Sequence, residues 1–232
     1  MTHRKTLFAA LFAGFLAHPV AAADRPVVVE LFTSQGCSSC PPADALLGEL
    51  AQRKDVLALA YHVDYWDRLG WKDPYSSAAA TRRQRQYGDQ FRLRAIYTPQ
   101  IVVDGRAEMV GSDRRAVARA IQAAAQATAA PAPRFDIDLV REANDIRVHV
   151  GPDAALAGAR VQLVGYVRGR TTRVTAGENA GRTLAEANIV VSSEILGEGA
   201  GDWRVPAAAD RAYAVLVQAP DGRSLGAAAL AP

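Results

Sequence analysis

Two hydrophobic rhythms divide the chain. From Val27 to about residue 127, compact apolar runs (Val27 to Phe32, Val56 to Val63, Ile101 to Val103) alternate with segments of helical pattern (Ala43 to Gln52, Ser76 to Gln90, Ser112 to Ala127). Alternating strands and helices predict a mainly parallel sheet covered by helices, because parallel neighbours need crossover connections. Later the period becomes two: Phe135, Ile137 and Leu139, then Ile146, Val148 and Val150, then Val161 to Val167, Leu184 to Val191 and Ala212 to Val217. Short strands separated by Gly, Asn, Asp and Pro predict an antiparallel sandwich. Between the two regimes an Ala-rich stretch ends in Pro131-Ala132-Pro133, where proline lacks the amide hydrogen a helix needs. The expected organisation is an α/β domain over 24–127, a linker over 128–133 and an all-β sandwich-like domain over 134–232.

The first residues follow neither rhythm. His3, Arg4 and Lys5 precede the apolar run Leu7 to Leu16, and Ala21, Ala22 and Ala23 precede Asp24. This reads as a secretory signal over residues 1–23, so the mature chain is expected to be exported, periplasmic or secreted. Of the 232 residues, 27 are Lys or Arg and 24 are Asp or Glu. Without residues 1–23, which hold Arg4 and Lys5 and no acid, 25 basic and 24 acidic side chains remain. That balance gives no electrostatic case for nucleic acid, and no later apolar run approaches the roughly 20 residues of a membrane span. An ordinary globular composition with two cysteines also excludes a disulfide-dense scaffold. Oligomeric state is not legible.

Both cysteines lie in Gly36-Cys37-Ser38-Ser39-Cys40-Pro41-Pro42, directly after an apolar strand and before a helical pattern. Two thiols three positions apart can close a small disulfide ring, and the amide groups and positive dipole end of a helix start stabilise a thiolate. Such a thiol can fall from a pKa of about 8.5 to between about 3.5 and 7.5. Cys37 would then attack and Cys40 resolve the mixed disulfide. Consecutive prolines are tolerated only in the first turn, so the helix is expected to start near Ser38 or Ser39. Three readings stay open: redox chemistry, a permanent disulfide of an exported protein, and metal binding. The metal reading pairs Cys37 and Cys40 with His62 for copper(I), or adds His149 for zinc. Ser34, Ser38 and Ser39 have no evident base partner, which rejects serine hydrolysis, and no Gly-rich phosphate loop is present.

His62, Asp64, Trp66 and Trp71 follow the second apolar strand, whose end faces the same way as the cysteine-bearing end in a parallel sheet. His62 is a candidate proton carrier or thiolate partner; Asp64, Trp66 and Trp71 are candidates for the rim. Arg82, Arg83, Arg85, Arg92 and Arg94 gather around one predicted helix and are expected to form a solvated face, the alternative being recognition of an acidic partner. Thr98-Pro99 enters the third strand, where proline is tolerated as a first residue, and Asp104-Gly105 reads as a turn.

Strand, C-x-x-C at a helix start, strand, helix and proline-led strand follow in the order of the thioredoxin-like superfamily, over roughly residues 26–127. The resemblance implies that Pro99 is cis beside the disulfide, that Thr98 and Pro99 shape a substrate groove, and that Asp104-Gly105, Gly111 and the helix after Ser112 form a closing hairpin and last helix. It also likens Glu30 to a buried acid that accepts a proton near the second Cys. In whole phrases the chain resembles the domain-of-unknown-function family 1223, secreted thioredoxin-like proteins: Glu30 to Asp44, His62 to Asp67, Gly70 to Pro74, Tyr97 to Gln100, and Gly177 to Arg182. The last phrase has the composition of a loop with turn residues.

The resulting fold class is a thioredoxin-like α/β N-terminal domain followed by an all-β sandwich-like C-terminal domain. The function expected from it is thiol-disulfide exchange through Cys37 and Cys40 on a protein or small-molecule thiol, with no cofactor beyond the disulfide. The alternative is a non-catalytic binding module holding a structural disulfide or a Cu(I) or Zn clasp.

Overall fold

A computed structural model describes residues 25–129 and 135–230. The expected signal segment 1–23 and residues 130–133 of the expected linker lie outside the described residues. Strand β1 (Val27–Thr33) and strand β2 (Val56–His62) pair in parallel and are buried at every position. Both their faces are covered, which is why they read as continuous apolar runs. Helix α1 (Pro41–Leu50) connects them, and helix α2 (Ala78–Gln90) follows, with the Ser77 hydroxyl accepting from the Ala80 amide at its N-terminus. Strand β3 (Gln100–Val103) runs antiparallel to β1 and turns into β4 (Ala107–Val110) through Asp104-Gly105. Asp104 and Gly105 have positive φ, 51° and 62°, as central residues of the turn closed by the Arg106 amide on the Val103 carbonyl, within a three-residue loop between the paired Val103 and Ala107. Helix α3 (Arg114–Ala129) takes in Thr128 and Ala129 of the expected linker.

The later strands are β5 (Ile137–Glu142), β6 (Asp145–Val150), β7 (Arg160–Arg173), β8 (Thr183–Glu198), β9 (Gly201–Pro206), β10 (Ala212–Gln218) and β11 (Ser224–Ala229). They fall into two groups. β5, β6 and β9 form a three-stranded antiparallel sheet, whereas β7, β8, β10 and β11 join the N-terminal strands in an eight-stranded sheet of order β11-β10-β7-β8-β2-β1-β3-β4. The fold is therefore mixed α/β, with a large sheet and a second, small antiparallel sheet. The junction is a parallel contact of β8 with β2, Ile189 opposite Ala60, and Asn188 at φ 48° donates its side-chain amide to the Ala58 carbonyl at 2.9 Å. One sheet thus crosses the position at which the hydrophobic rhythm changes. The hairpin turn adds a second tie: Asp104 pairs with Arg25 at 2.8 Å and accepts from the Val28 amide, and its carbonyl accepts from the Ser224 amide.

The two faces of the large sheet are covered differently. On one, Val29, Leu31, Ala58 and Ala60 pack under α1 and α3, while Leu163, Val215 and Val217 further along pack against Ile146 and Val148 of the small sheet. On the other, Phe32, Leu59 and Tyr61 share a core with Val164, Tyr166 and Leu216 beneath α2 alone. The C-terminal ends of β1 and β2 carry the segments that build the candidate site.

Candidate functional site

The cysteines occupy a turn, not the first turn of the helix. Cys40 is the N-cap of α1, with Pro41 and Pro42 in the first two helical positions, and the Cys40 amide donates to the Cys37 carbonyl at 3.2 Å. Two prolines in a row fit only where amide hydrogens are unpaired, which moves the start beyond the expected Ser38 or Ser39. Cys37 and Cys40 form a disulfide with their Cα atoms 5.4 Å apart. Both are fully buried, whereas Ser38 and Ser39 between them are exposed. The Ser39 hydroxyl lies 3.3 Å from the Cys37 sulfur.

Three segments close around this turn. The peptide Thr98-Pro99 is cis, and the Pro99 carbonyl accepts from the Gly111 amide. A Cβ on Gly111 would crowd Leu31, Ala43 and Pro99 at 3.0 to 3.3 Å, so glycine there lets the proline approach the start of α1. Trp66 spans the space between: its indole N–H donates to the Thr98 hydroxyl at 2.8 Å, and its Cβ lies against Gly36. The loop Gly177 to Arg182 reaches over from the C-terminal half. Asn179 donates to the carbonyls of both Gln35 and Cys37 at 2.9 Å, and Glu178 accepts from the Ser38 amide at 3.0 Å.

Beneath the turn lies a closed cluster of ionisable groups: Asp44, His62, Asp73 and Glu186, all buried. Asp44 follows Cys40 by one helical turn, its amide donating to the Cys40 carbonyl and its carboxylate accepting from the Thr33 hydroxyl at 2.7 Å. Burial first, and then the charge of Glu186, push its carboxyl up to about 7. Burial alone would depress His62. The hydrogen bond and charge of Asp73 (2.7 Å from Nδ1), helped by Glu186 and Asp44, outweigh it and raise the imidazole. Burial would raise Asp73, but His62 and the amides of Gln35 and Tyr75 hold it below the usual carboxylate range. Glu186 is raised by burial, with His62 and the Gln35 side chain opposing. His62 Nε2 and Glu186 Oε1 have no hydrogen-bond partner and face each other at 3.7 Å. Gln35 ties the cluster to the cysteine turn: its amide donates to Asp73, its side chain donates to Glu186 at 2.7 Å, and its side-chain oxygen accepts from Trp71.

The profile of a family described as protein of unknown function (DUF1223) matches residues 28–218. The chain belongs to the DUF1223 family. A crystal structure of a protein from Agrobacterium tumefaciens, AGR_C_4864, is 30% identical with a TM-score of 0.76, covering 90% of this chain and 96% of that one. HBP35 of Porphyromonas gingivalis is 14% identical with a TM-score of 0.58, over 89% of this chain and 75% of that one, a likeness of fold alone. No curated protein matches.

In this family member the residues singled out from sequence are distributed unevenly. Trp66, Trp71, Thr98 and Pro99 surround the cysteine turn, and His62 lies in the cluster below it. Asp64 instead accepts from Thr81 at 2.6 Å and braces the start of α2. Glu30 is buried on the α2 side of β1, bonded to Arg83 and to the Tyr87 hydroxyl. Strand alternation puts it on the face opposite α1 and Asp44. His149 lies on β6, paired with Asp202, in the small sheet. Among the described residues no three His, Cys, Asp or Glu side chains are grouped as a metal site. Arg83 departs from the expected solvated helix face, its side chain being 11% exposed.

Asp44, Asp73, Glu186, Gln35 and Asn179 were not singled out. Asp44 had a usable signal, its i+4 spacing from Cys40 on a helix. The loop with Asn179 read as turn residues and is a strut. N179A leaves the buried Gln35 carbonyl without a donor and the Cys37 carbonyl with the Cys40 amide alone, a loss of about 1–3 kcal/mol. Its urea midpoint falls, and dithiothreitol reduces Cys37–Cys40 faster than in the parent. Unchanged values of both would remove this loop from the site.

Proposed function

We propose that this protein is an exported thiol-disulfide oxidoreductase of thioredoxin-like fold, acting through Cys37 and Cys40. The fold reading is supported by the order of residues 27–129: strand, C-x-x-C, helix, parallel strand, helix, cis-proline hairpin and helix. Export is supported by the composition of residues 1–23. The observation that carries the chemistry is the juxtaposition of the Cys37–Cys40 disulfide, the cis Thr98-Pro99 segment and a buried acid one helical turn after Cys40.

In the direction of substrate oxidation, a substrate thiolate attacks Cys37, the Cys37–Cys40 bond breaks, and Cys40 leaves as a thiolate that takes up a proton. The second substrate thiol loses its proton and attacks the substrate sulfur of the mixed disulfide, expelling Cys37, which takes up a proton in turn. Two electrons and two protons pass from the substrate dithiol to the protein, and the reverse sequence reduces a disulfide. Asp44, with its pKa pushed up to about 7, suits proton transfer to and from Cys40 near neutrality. His62 and Glu186 behind it hold further charge in balance.

Complete burial of both cysteines favours a second reading, a binding module with a fixed disulfide. A redox titration of residues 24–232 in glutathione and dithiothreitol buffers, after chelation, decides between them. Alkylation and mass report the thiols. A reversible transition between about −120 and −270 mV is expected of an exchanger; resistance to reduction below about −300 mV overturns that reading in favour of the structural bridge.

A further inference from the structure

The α2 face of the large sheet holds a feature separate from the cysteines. Because α2 covers that face alone, an open cleft of about 620 Å³ remains between the helix and strands β7, β8 and β10. Sites for small organic ligands commonly measure about 300–1,000 Å³. The cleft is built around Arg83. Its guanidinium is held by Glu30, by the side-chain oxygens of Gln162 and Gln218 at 2.9 and 3.0 Å, and by the Tyr87 hydroxyl. It also lies over the rings of Tyr61 and Tyr87, at 5.3 and 5.4 Å. With Glu30 beside it, this charge is neutralised.

Three lining groups, one buried and two exposed, have no hydrogen-bond or ion-pair partner among the described residues. The Tyr61 hydroxyl is buried and has no hydrogen-bond partner. Arg82 on α2 and Arg160 on β7 are exposed and make none of the ion pairs found among the described residues. The one acid in the lining, Asp221, is taken by Arg223 at 2.7 Å. The β8 wall is apolar and open: Val191 is 37% and Ile195 57% exposed. The sheet register produces that wall. Val190 pairs with Tyr166 and Ser192 with Gly165, leaving Val191 as an extra, bulged residue, after which Ser193 and Ile195 again share the α2 side with Val164 and Gln162. Bulges re-aim side chains in this way beside binding sites.

We propose that this cleft binds a small amphiphilic organic anion, its acidic group taken by Arg82 and Arg160 and its apolar body lying on Val191 and Ile195. Two unpaired arginines select negative charge, and an exposed aliphatic wall selects an apolar body. The site lies on the sheet face opposite α1, so it does not depend on the redox reading.

The test is calorimetric titration of oxidised residues 24–232 with decanoate below its micellar concentration, and with 1-decanol as the uncharged probe of equal length. Decanoate is expected to bind at one site, at least ten-fold more tightly than decanol. R82A/R160A is expected to lose that ten-fold, and I195E to abolish binding; both change exposed residues. R115A/R119A, with equal charge removed from α3, should bind like the parent. Absence of decanoate binding, equal affinity for decanol, or the same loss in R115A/R119A as in R82A/R160A overturns the proposal.

Discussion

C37S loses thiol-disulfide exchange by more than about 10³-fold, because a serine hydroxyl neither forms a stable bond to a substrate sulfur nor leaves from one. C40S behaves differently. Cys37 still attacks, nothing resolves the product, and a mixed disulfide with the substrate thiol accumulates. Incubating each reduced variant with a peptide dimer joined by one disulfide, from which attack on one sulfur releases the other peptide as a thiol, and following the adduct by mass separates these behaviours: C40S carries one peptide and C37S carries none. Equal trapping by both variants would deny the two sulfurs their separate roles. If neither traps while both stay folded, the buried bridge is structural.

D44N is expected to flatten the dependence of stability on pH. In the folded protein the Asp44 carboxyl titrates at about 7, well above the ordinary value for an aspartate. Between pH about 4 and 7 the folded chain therefore holds a proton that the unfolded chain has released, and the unfolded state binds fewer protons. Stability then falls as pH rises through this window, by about 1.4 kcal/mol per unit and up to roughly 4 kcal/mol in all. Asparagine remains neutral, and its side-chain oxygen can still accept from Thr33, so D44N avoids the loss. His62 and Glu186, also raised, lose stability in the same direction as pH rises, while the depressed Asp73 contributes stability that is lost only as pH falls. A residual slope thus survives in D44N. Urea unfolding of the oxidised chain at pH 5 and pH 8 checks this: the gap between D44N and parent should be about 2–3 kcal/mol larger at pH 8. Parallel profiles would mean that Asp44 does not hold its proton in the folded state.

The cysteine turn and the Thr98-Pro99 segment were legible because each is a local signal, a pair of residues at a fixed place relative to a strand or helix start. Asp104-Gly105 was legible for the same reason, since the two positive φ values of a tight hairpin demand such residues. The cluster below the disulfide was only half legible. His62 followed from its place at a strand end, but its partners reach it from other elements: Gln35 meets Asp73 across 38 positions and Glu186 across 151, and Asn179 meets Gln35 across 144. Glu30 and Arg83 were misassigned together. Neighbouring strand residues point to opposite faces, so Glu30, beside the inward Leu31, faces α2 and supplies the counter-charge that lets Arg83 turn inward.

The sequence alone determined the rhythm of strands and helices, the change of period after α3, the hairpin turn and the reactive-looking cysteine pair. Those depend on each residue's own side chain and on neighbours within a few positions. Only the tertiary structure decided that β8 joins β2, which makes one eight-stranded sheet out of two regimes, and that the Gly177 to Arg182 loop braces the cysteine turn. Every strand edge offers the same backbone donors and acceptors, and hydrophobic period reports which face is buried but not against what. The choice of partner is made by the packing of segments far apart in the chain, and it brings Asp44, His62, Asp73 and Glu186 together under the disulfide.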